Sequence, residues 1–129
     1  KQIELQKEIF YFKNIEELKN WIINVHEKYY VELKKAGELP AAFWESYSAF
    51  CNTSGGWILL GVIEGNPMNT IQGVGNISKT QINLWDMLSN PNKINYRSVD
   101  NEDVHVVNID GAEIMIVYVK EAPESMKPI

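Results

Sequence analysis

The stretch FWESYSAFCNTSGGWILLGV, Phe43 to Val62, restricts the fold of this chain more than any other. Pro40 suits a first helical turn, where its missing N–H is no loss. Phe43, Tyr47, Phe50 and Cys51 then recur at one-turn spacing and give a single apolar face. Asn52-Thr53-Ser54-Gly55-Gly56 ends that helix, with glycines free to take positive φ. Trp57 to Val62 is apolar and too short for a helix. Although Gly61 interrupts it, the run predicts a central strand covered on both faces. A helix packed on a sheet is the minimum this succession demands.

The flanking segments supply the other layers. A short strand is expected around Ile9 to Phe12. Asn14 then reads as an N-cap, with Glu17 three residues on, opening a helix whose core stripe is Leu18, Trp21, Ile22 and Val25. Tyr29 to Lys35 predicts a strand with Val31 and Leu33 on one face and Tyr30, Glu32 and Lys34 on the other. Ala36 to Leu39 turns the chain into the central helix. Glu64 to Asn69 is a loop by composition, and Ile71 to Val74 a short strand. Ser78 with Gln81 reads as a capping box and Ile77 with Ile82 as a hydrophobic staple. They open a helix buried along Ile82, Trp85 and Leu88 and ended by Asn90-Pro91-Asn92. Val104 to Ile109 and Ala112 to Val119 flank Asp110-Gly111, a strong hairpin signal. The second of these strands is apolar on both faces and belongs inside the sheet. The expectation is one α/β (α+β) domain over residues 1–129, with three helices on a mixed central sheet of about five or six strands.

Charge bears on partners. The chain of 129 residues carries a net charge of −5, and its one arginine is Arg97. Phosphate neutralisation calls for the opposite sign, unless basic residues gather locally. Seven of the twelve basic residues fall in the first 35 positions, but six acids share that segment. No apolar run reaches the roughly 20 residues of a membrane span, and no signal-peptide pattern opens the chain. A single cysteine, Cys51, makes no internal disulfide, so a reducing cytoplasm is the expected setting and a buried small hydrophobe the expected role. A start at Lys1 without methionine suggests a domain excised from a longer protein.

Three carboxylates and a lysine carry the chemistry that remains. Glu32 and Lys34 stand two apart on a strand and share a face, as a surface pair of small worth or as part of a phosphodiester site. There a carboxylate would hold Mg²⁺ or Mn²⁺ and an ammonium would steady the phosphate. Glu27 joins them only from a turn before the strand, and Glu64 follows the central strand directly. Gly73 to Lys79 lacks the spacing of a phosphate loop, and His26, His105 and Cys51 make no zinc pattern. Tyr29, Tyr30, Trp44, Tyr47 and Trp57 offer stacking surfaces for bases, although their periodicity points mostly to the core.

The wording of the central stretch goes further. Glu32-Leu33-Lys34, Ser48-Ala49-Phe50-Cys51-Asn52-Thr53, Gly55-Gly56 and the run to Val62 resemble, in order and spacing, the signature of the Schlafen-type AlbA domain. Leu33 stands where Phe is usual and Cys51 where Ala is usual. The likeness spans roughly Trp21 to Ile129. It implies a domain at the front of a longer protein, often followed by a winged-helix or helicase-related region. Schlafen endoribonucleases use three acids, onto which Glu27, Glu32 and Glu64 fall, with Glu64 where Asp is usual. Three readings stay open. One is a nucleic-acid (DNA)-binding module of a bacterial regulator-like protein, acting through Lys34, Lys35 and the turn Asn52, Thr53, Ser54, Gly55 and Gly56. The second is a divalent-metal-dependent nuclease using Glu27, Glu32, Lys34 and Glu64. The third is an interaction domain, for instance a homodimer.

Overall fold

A computed structural model describes residues 3–5, 10–27, 31–35, 39, 41–92 and 94–129. Expectations for Ile9, Tyr29, Tyr30, the Ala36 to Glu38 turn and Pro40 lie outside these residues. Strands β1 (Ile3–Leu5) and β2 (Phe10–Phe12) pair antiparallel and lead into helix α1 (Ile15–Asn24). Asn14 caps α1 by accepting the Glu17 N–H at 3.0 Å, while the Glu17 carboxylate accepts the Lys13 N–H at 3.0 Å. Two donors at the start of the helix are thereby satisfied reciprocally.

Strand β3 (Val31–Lys34), helix α2 (Ala41–Asn52) and strand β4 (Gly56–Leu60) form a crossover unit whose strands run parallel, with Val31 opposite Trp57 and Lys34 opposite Leu60. The chain continues through β5 (Val62–Ile63), β6 (Thr70–Ile71), α3 (Ile77–Leu88), β7 (Val104–Ile109) and β8 (Ala112–Val119). The hairpin β7–β8 turns on Asp110 and Gly111, both at positive φ (53° and 90°), as an Asp-Gly turn of this kind requires. The mixed central sheet has the order β3-β4-β8-β7 among the described residues, so the doubly apolar β8 is indeed internal. The sheet holds four strands rather than five or six because the remaining short ones pair off separately, β1 with β2 and β5 with β6.

One sheet face packs Val31, Leu33, Trp57, Leu59 and Ile116 under α1 and Phe12. The other packs Ile58, Leu60, Met115 and Val117 under α2 and α3. Three boundaries differ from expectation. The central strand stops at Leu60, because Gly61 (φ 101°) gives its N–H to the Lys34 carbonyl and then turns the chain into β5. The strand expected at Ile71 to Val74 is Thr70–Ile71. Helix α3 is capped by Asn76, which accepts the Lys79 N–H at 3.0 Å, and not by Ser78. The buried line of α3 is Leu84 and Leu88, while Ile82 is 60% exposed.

Candidate functional site

Parallel strands carry their ligand groups at their C-terminal ends, where helices and loops leave a crevice. Here that end belongs to β3 and β4, and most of the singled-out polar residues gather at it. Lys34 closes β3, Lys35 follows it, and Glu64 comes directly after β5. Glu32 and Lys34 lie on the α2–α3 side of the sheet, with Lys34 Nζ 3.5 Å from Glu32 Oε1. Lys34 is only 15% exposed there, whereas Lys35 faces solvent.

Glu27 joins from the segment after α1, as the sequence required of it. Its Oε2 accepts the Leu33 N–H at 3.0 Å. Leu33 alternates with the residues that bond β4, so this N–H points to the outer edge of the sheet, where among the described residues Glu27 and no further strand meets it. Burial pushes the Glu27 carboxyl above the ordinary glutamate range; the Leu33 N–H draws it back, Glu32 and Glu64 raise it further, and Lys34 opposes them. Glu32, Lys34 and Glu64 therefore all act on Glu27.

The position of Glu64 depends on a residue the sequence left in a loop. Asn69 is buried; its amide donates to the Ile22 carbonyl at 2.9 Å and to the Val25 carbonyl, and its Oδ1 accepts the Gly65 N–H at 3.0 Å. The loop carrying Glu64 is thus tied to the end of α1, from which Glu27 emerges. Only the loop composition marked this region, because the two carbonyls that Asn69 bonds lie more than 40 residues away.

The turn at Asn52 to Gly56 stands elsewhere. It leads into β4, and the register sets it at the opposite end of that strand from Lys34, roughly 13 Å away along the chain direction. Its polar groups are also occupied. Gly55 N–H donates to the Phe50 carbonyl, Thr53 Oγ1 to the Ala49 carbonyl, and Asn52 Oδ1 accepts the Ile129 N–H. Gly55 and Gly56 are buried, and Ser54 is exposed. Lys34 and Lys35 therefore do not share a surface with Asn52, Thr53, Ser54, Gly55 and Gly56.

Lys79 stands beside the end of β4 instead. A groove of about 370 Å³ runs between the end of β4 and the first turns of α3, lined by Leu60, Gly75, Asn76, Lys79, Thr80 and Asn83 among others. Leu60 is the register partner of Lys34, so Lys34 and this groove are neighbours on one face. Other cations are spent on acids: Lys19 on Asp110, Lys120 on Asp100 and Asp103, and Lys127 on Glu121 and Glu124. Lys35 and Lys79 have no ion pair among the described residues. Of the aromatic candidates, Tyr47 and Trp57 are buried in the core and Trp44 is half-buried against Phe43 and Tyr47.

A divalent ion fits this arrangement poorly. Glu27 is turned to the Leu33 N–H, and among the described residues no three His, Cys, Asp or Glu side chains are grouped to hold a metal.

The raised Glu27 has a measurable consequence. An acid whose pKa rises on folding binds more protons in the folded state, so stability falls as pH climbs from the ordinary glutamate value through the folded one. Glu27→Gln keeps an acceptor for Leu33 N–H and removes the repulsion. It is expected to be at least as stable as the parent at neutral pH and to flatten this part of the pH–stability curve in denaturant titrations.

A parallel β-α-β unit continued by an antiparallel hairpin, with helices packed on both sheet faces, defines an α/β domain. The chain belongs to the Schlafen, AlbA_2 family, whose profile matches residues 27–128. It is also similar to the N-terminal domain of a RecG-related protein from Nitrosomonas europaea, solved in solution by NMR and named as a candidate ATP-dependent DNA helicase. Identity is 25% and the TM-score 0.62, covering 88% of this chain and 74% of that one. No curated protein sequence matches the chain. No helix among the described residues is long and apolar enough to cross a membrane.

Proposed function

We propose that this domain is a nucleic-acid-binding module that meets the phosphate backbone at the C-terminal ends of β3 and β4, through Lys35 and Lys79 with Lys34 between them. The observation that carries the reading is two lysines without an ion pair among the described residues, Lys35 next to Lys34 and Lys79 in the Leu60 groove, where Lys19, Lys120 and Lys127 are held by acids. The AlbA_2 family and a relative named for DNA helicase activity support it. Glu27, Glu32 and Glu64 narrow the path. Their repulsion keeps phosphate off the outer edge of β3 and favours an approach from the α3 side.

Fluorescence anisotropy with single-stranded DNA, duplex DNA and RNA across a salt series tests this. Binding is expected at low ionic strength. Lys35→Ala and Lys79→Ala should each lower the slope of log K against log salt by about one. No binding at low salt, or a slope unmoved by both changes, sinks the reading. The alternative, a metal-dependent nuclease, is disfavoured by the poor fit of a divalent ion among the described residues. Cleavage of structured RNA that needs Mg²⁺ or Mn²⁺ and is lost in Glu32→Ala would select it.

A further inference from the structure

We propose that the groove along α3 is a pocket for one unpaired nucleotide, which sets its phosphate at Lys79 and the amino group of its base at Asp86. This rests on the nucleic-acid reading above and names the part of the strand that is read.

The groove extends beyond its Lys79 end. Past Asn83 it continues into a second hollow of about 340 Å³, lined by Leu39, Asn83, Asp86 and Met87. Leu39 and Asn83 line both stretches, so the two form one channel with α3 as a wall. Lys79, Asn83 and Asp86 fall at i, i+4 and i+7, a single stripe of the helix. At about 1.5 Å per residue, the first and last of them stand roughly 10 Å apart along the axis. That is close to the reach from a phosphate to the far edge of its own base.

The lining suits a base. Leu39, Leu60 and Val74 give apolar surface for a flat ring. The Asn83 amide sets a donor and an acceptor side by side. Each stretch lies near the low end of small-ligand clefts, roughly 300–1,000 Å³, which leaves room for a base and none for a duplex. The two ends differ in sign. Lys79 attracts a phosphate, whereas Asp86 repels one and, as a carboxylate, only accepts hydrogen bonds. Cytosine and adenine offer it an amino group; thymine, uracil and guanine place an oxygen there.

Charge argues for an unpaired strand over a duplex. Duplex DNA carries one negative charge per roughly 1.7 Å of axis, and a single strand about half that density. A chain of net charge −5 is repelled more by the denser of the two. Lys35 and Lys79 supply about two phosphate contacts, against the roughly 6–10 of a protein that holds duplex by its backbone. The balance of the affinity has to come from the base, and a paired base is stacked out of a pocket's reach.

Fluorescence anisotropy at low salt and just above neutral pH, with oligo-dC, oligo-dT, oligo-C and a duplex of equal length, reads the outcome. The tighter of oligo-dC and oligo-C should bind at least about tenfold more strongly than the duplex, and the comparison between those two tells DNA from RNA. Asn83→Ala should weaken that binding at least about fivefold and leave the salt slope unchanged, unlike Lys79→Ala. Asp86→Asn should erase the preference for oligo-dC over oligo-dT, because an amide donates as well as accepts. Asn83 and Asp86 are both exposed on the helix, so neither change threatens the fold. Duplex bound as tightly as the single strands, oligo-dT bound as well as oligo-dC, or Asn83→Ala binding like the parent each overturns the pocket. Should the salt slope still fall in Lys35→Ala and Lys79→Ala, the phosphate reading survives that loss. Absence of binding to every probe sinks both.

Discussion

Gly55→Ala is expected to cost about 2–5 kcal/mol in denaturant unfolding, against about 1–2 kcal/mol for Gly111→Ala. Both glycines hold a left-handed backbone, at φ 80° and 90°. Both substitutions therefore bear the conformational cost of a Cβ in that region. They differ in what the Cβ meets. At Gly111 nothing lies within 4 Å, whereas at Gly55 it would stand 2.7 Å from the Val119 carbonyl oxygen and 3.2 Å from the Glu121 N–H. Those are backbone atoms at the end of β8, where Val119 is paired with Gly56, and they cannot swing aside as a side chain can. A domain of this size has about 5–15 kcal/mol in hand, so Gly55→Ala would expose a measurable unfolded fraction at modest denaturant. Equal costs at the two positions would mean that the end of β8 yields, and that the α2–β4 turn is not locked by close approach.

That contrast explains what could be read in advance. Gly55-Gly56 was legible as a helix stop because the requirement for positive φ is local. The close approach to Val119, more than 60 residues away, was not. The same division runs through the chain. Asp110-Gly111 fixed its hairpin, and Asn14 with Glu17 fixed the start of α1, because each is chemistry between near neighbours. The start of α3 offered two caps two residues apart, Asn76 and Ser78, and both have helix formers behind them. Which one acts, and that Leu84 and Leu88 rather than Ile82 are covered, is decided by the sheet the helix lands on. The glutamates show the limit for a site. Spacing said that Glu27 joins Glu32 only from a preceding turn, and that is where it lies. That its carboxylate would be engaged by the Leu33 N–H follows from β3 being an edge, which is a property of the whole sheet order.

Asn69→Ala is expected to cost about 2–4 kcal/mol and to disturb the candidate site from a distance. Asn69 is 6% exposed, and its amide group meets three backbone groups. Two are the Ile22 and Val25 carbonyls, which the end of α1 leaves without intrahelical partners. The third is the Gly65 N–H. Alanine removes one partner from each and leaves buried groups unsatisfied, the costly half of the hydrogen-bond ledger. Asn69→Asp should be worse than its size suggests. It keeps the acceptor for Gly65 but loses both donors and sets a carboxylate against the negative end of the α1 dipole. The effect on the site is separable from the effect on stability. If Asn69 holds the Glu64 loop against α1, then Asn69→Ala lets Glu64 drift from Glu27, and the Glu27 carboxyl should titrate lower than in the parent, because a repelling charge has gone. Carboxyl-detected NMR of the folded variant reads this directly. A destabilised Asn69→Ala with Glu27 titrating as before would make Asn69 a structural clasp alone, with Glu64 held in place by the β5–β6 pair that flanks its loop.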